Sequence, residues 1–277
     1  MPIAQAHVDY SFLRRIVEAR SRNVLDPARD YAFEVRLARL VRDNGMTSLA
    51  ELVQHLRHSG DTTLETAVAD AMTNNETSFF RDRRPFELLR TRLLPELIAA
   101  RSSTRTLRLW SAGCSTGQEA YSLAMLLREH FPLLGNWNVQ VEANDICRQV
   151  VDRAQAGSYE SLEVNRGLPL QYLNRYFHRH GDRWVIKPVI RSMCRFQVSN
   201  LCQAHVLMRG RFDVILLRNV MLYFAPESRR AVMAEIHRML EPDGVLIMGS
   251  SEQPADASLW ISDVAGGTCY FRPRNGA

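Results

Sequence analysis

The 277 residues hold 35 Lys and Arg against 30 Asp and Glu, a formal net charge of +5, and 46% of them are apolar. That length supports a sizeable core and more than one domain, while no run approaches the about 18 apolar residues of a membrane helix and Met1 to Tyr10 show no signal pattern, so a cytoplasmic protein with no direct membrane insertion is expected. Cys114, Cys147, Cys194, Cys202 and Cys269 form no C-x-x-C pair, which speaks against a zinc site or a disulfide framework and leaves no metal expected.

All basic residues but Lys187 are arginine, spread along the chain without a charge block. This is a compositional habit rather than a nucleic-acid surface, and no nucleic-acid partner is expected. Residues 9 to 72 carry helical patterns and no convincing strand. Phe12, Leu13, Ile16 and Val17 share one face, and Ser48-x-x-Glu51 and Thr62-x-x-Glu65 each resemble a capping box opening a helix. In the second helix, about Ala28 to Asp43, Arg29, Arg36 and Arg39 fall opposite the apolar Phe33, Leu37, Leu40 and Val41. Such a stripe is either a solvated face or a docking surface for an acidic helix.

The polar stretch Asn74 to Arg81 carries two exposed-looking phenylalanines, Phe79 and Phe80, which is oddly aromatic for a linker. A helix from Pro85, broken at Pro95, leads to the strand Leu107 to Trp110. The tight turn Ser111-Ala112-Gly113-Cys114-Ser115-Thr116-Gly117 follows, and Gln118 to Leu127 has the spacing of a buried helix. Small residues let the backbone turn sharply and a ligand approach, and the helix start offers free N–H groups. Further strands are expected at 138–143, 195–198, 212–217 and 245–248, with helices at 146–156 and 226–240 and a last strand pair near 259–263 and 269–272. A helix at 170–177 and a hairpin turning at Gly181-Asp182 form an insertion.

Apolar strands alternating with helices predict an α/β fold with a doubly wound, Rossmann-type parallel sheet, preceded by an all-helical N-terminal domain and carrying a small inserted β-subdomain. The expected boundaries are 1–82 for the helical domain and linker, 83–277 for the sheet domain and 167–194 for the insertion. Ligands in such folds bind at the carboxyl ends of the strands. That singles out Gly113 to Glu119, Asn144 and Asp145, Asn200 and Leu201, and Arg218 and Asn219. Asp145 stands where an acidic residue hydrogen-bonds a ribose, and it is equally placed to cap the next helix.

Three classes of function compete. A nucleoside cofactor is one. The turn lacks G-x-G-x-x-G, and Glu119 would repel a phosphate, so a cationic cofactor without phosphate, such as S-adenosylmethionine, suits it better. A serine hydrolase is the second, because Gly113-Cys114-Ser115-Thr116-Gly117 reads G-x-S-x-G between strand and helix. It needs a late histidine, and none follows His237, which lies in a helix. The third is a non-catalytic adaptor, in which the helical bundle binds a partner.

Taken together, Asn75-x-Thr77-x-Phe79-Phe80-Arg81, the Ser111 to Gly117 turn with Glu119 and Tyr121-Ser122, Asp145, Phe212-Asp213, Arg218-Asn219-Val220 and Tyr223-Phe224 resemble the CheR-type chemoreceptor methyltransferases in order and spacing. The resemblance spans nearly the whole chain. It implies a class I methyltransferase-like fold, S-adenosyl-L-methionine as methyl donor with S-adenosyl-L-homocysteine as product, and glutamate side chains on cytoplasmic helices of membrane chemoreceptors as acceptors. It further implies that Asn75, Thr77, Arg81, Gly113, Glu119, Asp145, Asn200, Leu201, Arg218 and Asn219 hold the cofactor. Arg81 is the candidate catalytic residue, orienting the acceptor carboxylate, and Arg29, Arg36 and Arg39 face the receptor. A monomer is expected. Gln118-Glu119-Ala120 departs from relatives that carry two acidic residues and a proline there, and the short hairpin implies independence from a receptor C-terminal tethering peptide.

Overall fold

The computed structural model describes residues 8–202 and 210–274, which divide into two units. The first joins residues up to Asn74 with the later segment Tyr223–Ser228. Its helices are α1 (Tyr10–Ser21), α2 (Tyr31–Asp43), α3 (Leu49–Ser59) and α4 (Thr62–Met72). Leu13 and Val17 of α1, Phe33 and Leu37 of α2, Leu52 and Leu56 of α3 and Val68 of α4 meet in one core. The residue 223–228 segment is attached by its backbone, with Val24 N donating to Tyr223 O at 2.8 Å beside a bridge between Asn23 and Phe224.

The caps differ from the expected boxes. Ser48 Oγ accepts from Glu51 N at 3.2 Å, but Glu51 reaches back to Thr47 N at 2.8 Å instead of to the cap residue. Helix α4 is capped by Asp61, whose carboxylate accepts from Thr63 N and Leu64 N, and Glu65 is free to pair with Arg20. A carboxylate one residue earlier satisfies the same orphan donors, so the threonine is not needed for it. Helix α2 begins at Tyr31 rather than Ala28. Asp26 caps a separate 3-10 turn, Pro27–Arg29, and this removes Arg29 from the helical stripe.

The second unit holds Asn75–Leu222 and Arg229–Ala277. Its first helical stretch runs α5 (Arg84–Leu88), a π turn over Leu89–Leu93, then α6 (Leu94–Ala100). Pro95 does not break it. A proline ring clashes with the carbonyl four residues back, and the wider π turn just ahead makes room for it. Then follow β1 (Thr106–Ala112), α7 (Gln118–His130), β2 (Asn138–Asp145), α8 (Arg148–Ala156), β3 (Ser158–Tyr159), α9 (Ser161–Asn165), α10 (Leu170–Tyr176), β4 (Phe177–His180), β5 (Arg183–Ile186), α11 (Pro188–Arg191) and β6 (Cys194–Val198). The chain closes with β7 (Phe212–Leu217), α12 (Pro226–Met239), β8 (Leu240–Met248), β9 (Trp260–Ala265) and β10 (Thr268–Pro273).

The main sheet has the order β6-β2-β1-β7-β8-β10-β9. Its first five strands are parallel, and β10 and β9 add antiparallel, so the sheet is mixed rather than wholly parallel. Leu107, Leu109, Val141, Val214, Leu216, Val245 and Ile247 are fully buried in its core, as continuous apolar strands require. The strand order reverses direction at β1, which pairs with β2 on one side and β7 on the other, and a crevice opens at such a switch point. The Glu241 to Gly244 turn signal is absorbed as an irregularity inside β8, where pairing jumps from Phe212–Leu240 to Val214–Val245. Asp243 on that bulge accepts from Arg101, which also reaches Asp213 at 2.7 Å. The small sheet is ordered β3-β5-β4, and its strand β3 comes from ahead of residue 167. Among the described residues no helix is long and apolar enough to cross a membrane.

The two phenylalanines that look exposed in sequence are buried. Phe79 is 0% exposed and meets Tyr159 and Phe177 edge-on at 5.1 and 5.6 Å, while Phe80 stacks on Tyr172 at 5.1 Å. Their burial pins the 75–83 segment to the second unit. Replacing Phe79 by Ala empties a ring-sized hole and is expected to cost about 3–5 kcal/mol in urea unfolding. A loss below about 1 kcal/mol would contradict this packing.

Candidate cofactor site

The site is built at the carboxyl ends of β1, β2 and β7. Asn144 fixes the turn after β1, because its backbone carbonyl accepts from Gly113 N at 2.9 Å and Cys114 N at 2.8 Å. Its side chain is held in turn between Trp110 Nε1 at 2.8 Å and Ser199 Oγ at 2.8 Å. The turn passes through left-handed backbone at Gly113, φ +74°, and a Cβ there would lie 2.5 Å from Val220 Cγ2. Only glycine fits both the dihedral and the contact.

Asp145 closes the turn from the next strand. One oxygen accepts from Ser115 N at 2.9 Å and the other from Cys147 N at 3.1 Å, with Ile146 N adding a third bond. Helix α8 has Cys147 at its N-cap with no side-chain cap bond, so Asp145 is not that cap; one of its oxygens braces the turn leading into α8 and the other the turn after β1. Burial pushes its carboxyl above the usual range, and the three N–H groups pull it back. Burial, with the charges of Asp145 and Glu119, also holds the Cys114 thiol far above its ordinary value, so it is an inert thiol.

Glu119, in the first turn of α7, accepts from Ser111 Oγ at 2.8 Å and from Arg218 Nη1 at 2.9 Å. Arg218 also acts as an internal clamp. Its side chain is 1% exposed, and Nη2 reaches Arg81 O at 3.0 Å and Asp82 Oδ2 at 2.6 Å, with the guanidinium 5.9 Å from the Phe86 ring centre. A buried cation needs paired acceptors, and these tie Glu119 to the 75–83 segment, while Arg218 Nε is buried without a partner among the described residues. That segment carries three non-glycine residues at positive φ, Phe80 at +49°, Asp82 at +66° and Arg83 at +39°. Phe80 N is held on Ser122 Oγ at 2.9 Å.

The remaining expected residues fall as follows. Asn75 O accepts from Ser115 Oγ at 2.7 Å, so Asn75 lies against the turn, and Thr77 is half-buried on the same segment. Arg81 Nη1 donates to Glu76 O at 3.0 Å. Asn200 Oδ1 accepts from Cys202 N at 2.9 Å, and Leu201 is buried. Asn219 sits in left-handed backbone, φ +61°, with its Oδ1 buried and lacking a partner among the described residues. Arg29, Arg36 and Arg39 belong to the first unit. There Arg36 Nη1 donates to Met72 O at 2.9 Å and Thr73 O at 3.2 Å, closing the end of α4, while Arg39 is exposed and pairs with Asp43 at 3.2 Å. Tyr223 also lies in the first unit.

As a nucleophile elbow the turn does not assemble. The Ser115 hydroxyl donates to a backbone carbonyl, no described histidine hydrogen-bonds it, and His237 instead contacts Trp260 edge-on at 5.2 Å. No metal-holding cluster exists among the described residues. A cradle that glycine keeps open, two carboxylates and an orphaned amide oxygen fit S-adenosylmethionine, whose ammonium, ribose hydroxyls and adenine amine are donors. Sequence reading missed Glu252, just beyond β8, although it too follows the carboxyl end of a strand.

Residues 8–73 match the family described as "CheR methyltransferase, all-alpha domain" and residues 75–267 the family "CheR methyltransferase, SAM binding domain". Chemotaxis protein methyltransferase 1 of Pseudomonas aeruginosa is 41% identical over 254 residues, covering 90% of this chain and 92% of its own. Chemotaxis protein methyltransferase Cher2 of Pseudomonas putida is 37% identical over the same shares. A TehB-like SAM-dependent methyltransferase structure from Corynebacterium glutamicum covers 70% of this chain and 96% of its own, at 17% identity and a TM-score of 0.39.

The chain belongs to the CheR methyltransferase family, and its cofactor is S-adenosylmethionine. Arg218→Ala leaves the part-buried Glu119 carboxylate without its cation and is expected to destabilise the second unit by about 2–4 kcal/mol in denaturant unfolding. A shift smaller than about 1 kcal/mol would show the pair to be solvated instead.

Proposed function

We propose that this CheR-family methyltransferase esterifies glutamate side chains on the cytoplasmic helices of membrane chemoreceptors, acting as a monomer in the cytoplasm. The observation that carries the reading is a set of two linked parts: Asp145 holds the Gly113 to Gly117 turn through Ser115 N, and Arg218 holds Glu119 to the 75–83 segment. Bound S-adenosylmethionine supplies an electrophilic methyl group on a sulfonium. Asp145 offers its remaining lone pairs to the ribose, Glu119 and the Asn219 amide oxygen accept from cofactor N–H or O–H groups, and Gly113 leaves room for close approach.

A glutamate acceptor has a reference pKa of about 4.3 and reaches the site as an anion, so no general base is needed. That suits a site with no catalytic triad. Orientation is then the main task, and well-aligned reacting pairs gain up to about 7–11 kcal/mol from it. An anion meeting a sulfonium loses charge on the way to the transition state, so excluding water favours the reaction. Arg81, half-buried on the constrained segment with one nitrogen on Glu76 O, is the residue proposed to orient the acceptor carboxylate.

Arg29, Arg36 and Arg39 are proposed to face the receptor, and Arg39 is open to do so, at 84% side-chain exposure. The hairpin of β4 and β5, only four residues a side, supports a form that works without a tethering peptide.

Calorimetry with S-adenosylhomocysteine is expected to show binding, and Asp145→Ala to weaken it by at least about tenfold. Unchanged affinity in the variant would remove Asp145 from the cofactor site. Arg39→Glu is expected to leave cofactor affinity intact and to lower receptor methylation several-fold at low salt, with the difference shrinking as ionic strength rises. Equal rates on receptor membranes at low salt would remove the arginine face from docking.

A further inference from the structure

The main-chain turn that follows β7 is governed by a residue thirty-odd positions away. Glu252 is buried, at 6% exposure, and both carboxylate oxygens are spent on backbone N–H groups. Oε2 accepts from Asn219 N at 2.5 Å and Gly249 N at 3.0 Å, and Oε1 accepts from Val220 N at 3.1 Å and Met221 N at 2.9 Å. Three successive amides, 219 to 221, thus converge on one carboxylate, an anion-binding nest occupied from within the chain.

The nest explains a costly local conformation. Asn219 stands at φ +61°, which a non-glycine residue adopts at a cost, and its Oδ1 is buried without a donor among the described residues. Val220, next in line, packs where a Cβ on Gly113 would be, so the same turn forms one wall of the cofactor cradle. The receptor carboxylate carries no proton at neutral pH and cannot satisfy the Asn219 oxygen. The group that does so must be a donor, which the cofactor has and the acceptor lacks.

We propose that Glu252 is a positioning residue of the methyl-transfer site: its carboxylate holds the Asn219–Met221 turn with Asn219 in left-handed backbone, so that the Asn219 amide oxygen and the Val220 wall are set for the cofactor before it binds. Glu252 touches neither reacting group and acts through Asn219. The inference rests on the cofactor reading above and adds the residue that pre-forms one side of it.

The test compares the parent protein with Glu252→Gln and Gly249→Ala. Glu252→Gln keeps the side-chain size but turns an acceptor oxygen into a donor facing N–H groups. Gly249→Ala keeps the charge and crowds both members of the nest, since its Cβ would lie 2.5 Å from Glu252 Oε2 and 2.9 Å from Asn219 Nδ2, so Glu252→Gln is the variant that isolates the carboxylate. Two readouts are taken under conditions where circular dichroism shows each protein folded: S-adenosylhomocysteine affinity by calorimetry and hydrogen exchange at the 219–221 amides. Both variants are expected to bind at least about tenfold more weakly and to lose protection at those amides while core strands keep theirs. Glu252→Asp, one methylene shorter with its charge kept, is expected to recover part of the affinity. Parental affinity in a folded Gly249→Ala or Glu252→Gln protein overturns the inference, as does weakened binding with protection lost evenly across the sheet, which marks a merely structural carboxylate. Failure of the parent itself to bind overturns instead the cofactor reading on which it stands.

Discussion

Everything at the centre of the second unit depends on one buried positive charge. Arg218, at the end of β7, is inside the protein, and an unpaired cation there would be expelled by its own desolvation cost. It stays because Glu119 from α7 and Asp82 with Arg81 O from the entering segment surround it. Three stretches distant in sequence therefore have one arrangement open to them. The carboxylate that a phosphate-binding loop could not tolerate is what makes this arrangement possible.

A second consequence follows for the entering segment. Phe80, Asp82 and Arg83 hold backbone conformations that non-glycine residues adopt only when their surroundings impose them. The imposing forces are visible: the rings of Phe79 and Phe80 in the aromatic core, the Ser122 hydroxyl on Phe80 N, and the Arg218 clamp. Strain kept in place by packing on one side and charge on the other is a way to hold Asn75, Thr77 and Arg81 ready beside the turn at little cost in reorganisation. The nest around Glu252 does the same for Asn219 across the crevice.

Much of this was legible in the sequence, and the failures have identifiable causes. The strands, the turn at Gly113 and the placement of Asp145 followed from apolar runs ending in small residues, because parallel strands buried on both faces leave no other pattern. Phe79 and Phe80 looked exposed since a short polar stretch shows no periodicity; only the distant Tyr159, Tyr172 and Phe177 reveal where the rings go. The clamp that Arg218 makes on Glu119 and Asp82 was hidden because those partners lie 99 and 136 positions away. Arg29 dropped out of the helical stripe through a local detail, the Asp26 cap and Pro27, which start a separate turn. Antiparallel addition of β9 and β10 was hidden, as a hairpin at a sheet edge reads like any other strand pair.

On the proposed function, this cradle delivers a methyl group to a carboxylate oxygen. The most direct measurement is transfer of label from methyl-labelled S-adenosylmethionine to chemoreceptor membranes, followed by mild alkali. A methyl ester hydrolyses there and releases the label as volatile methanol, which is the predicted result. Label that is transferred but survives alkali, or none transferred at all, would contradict it.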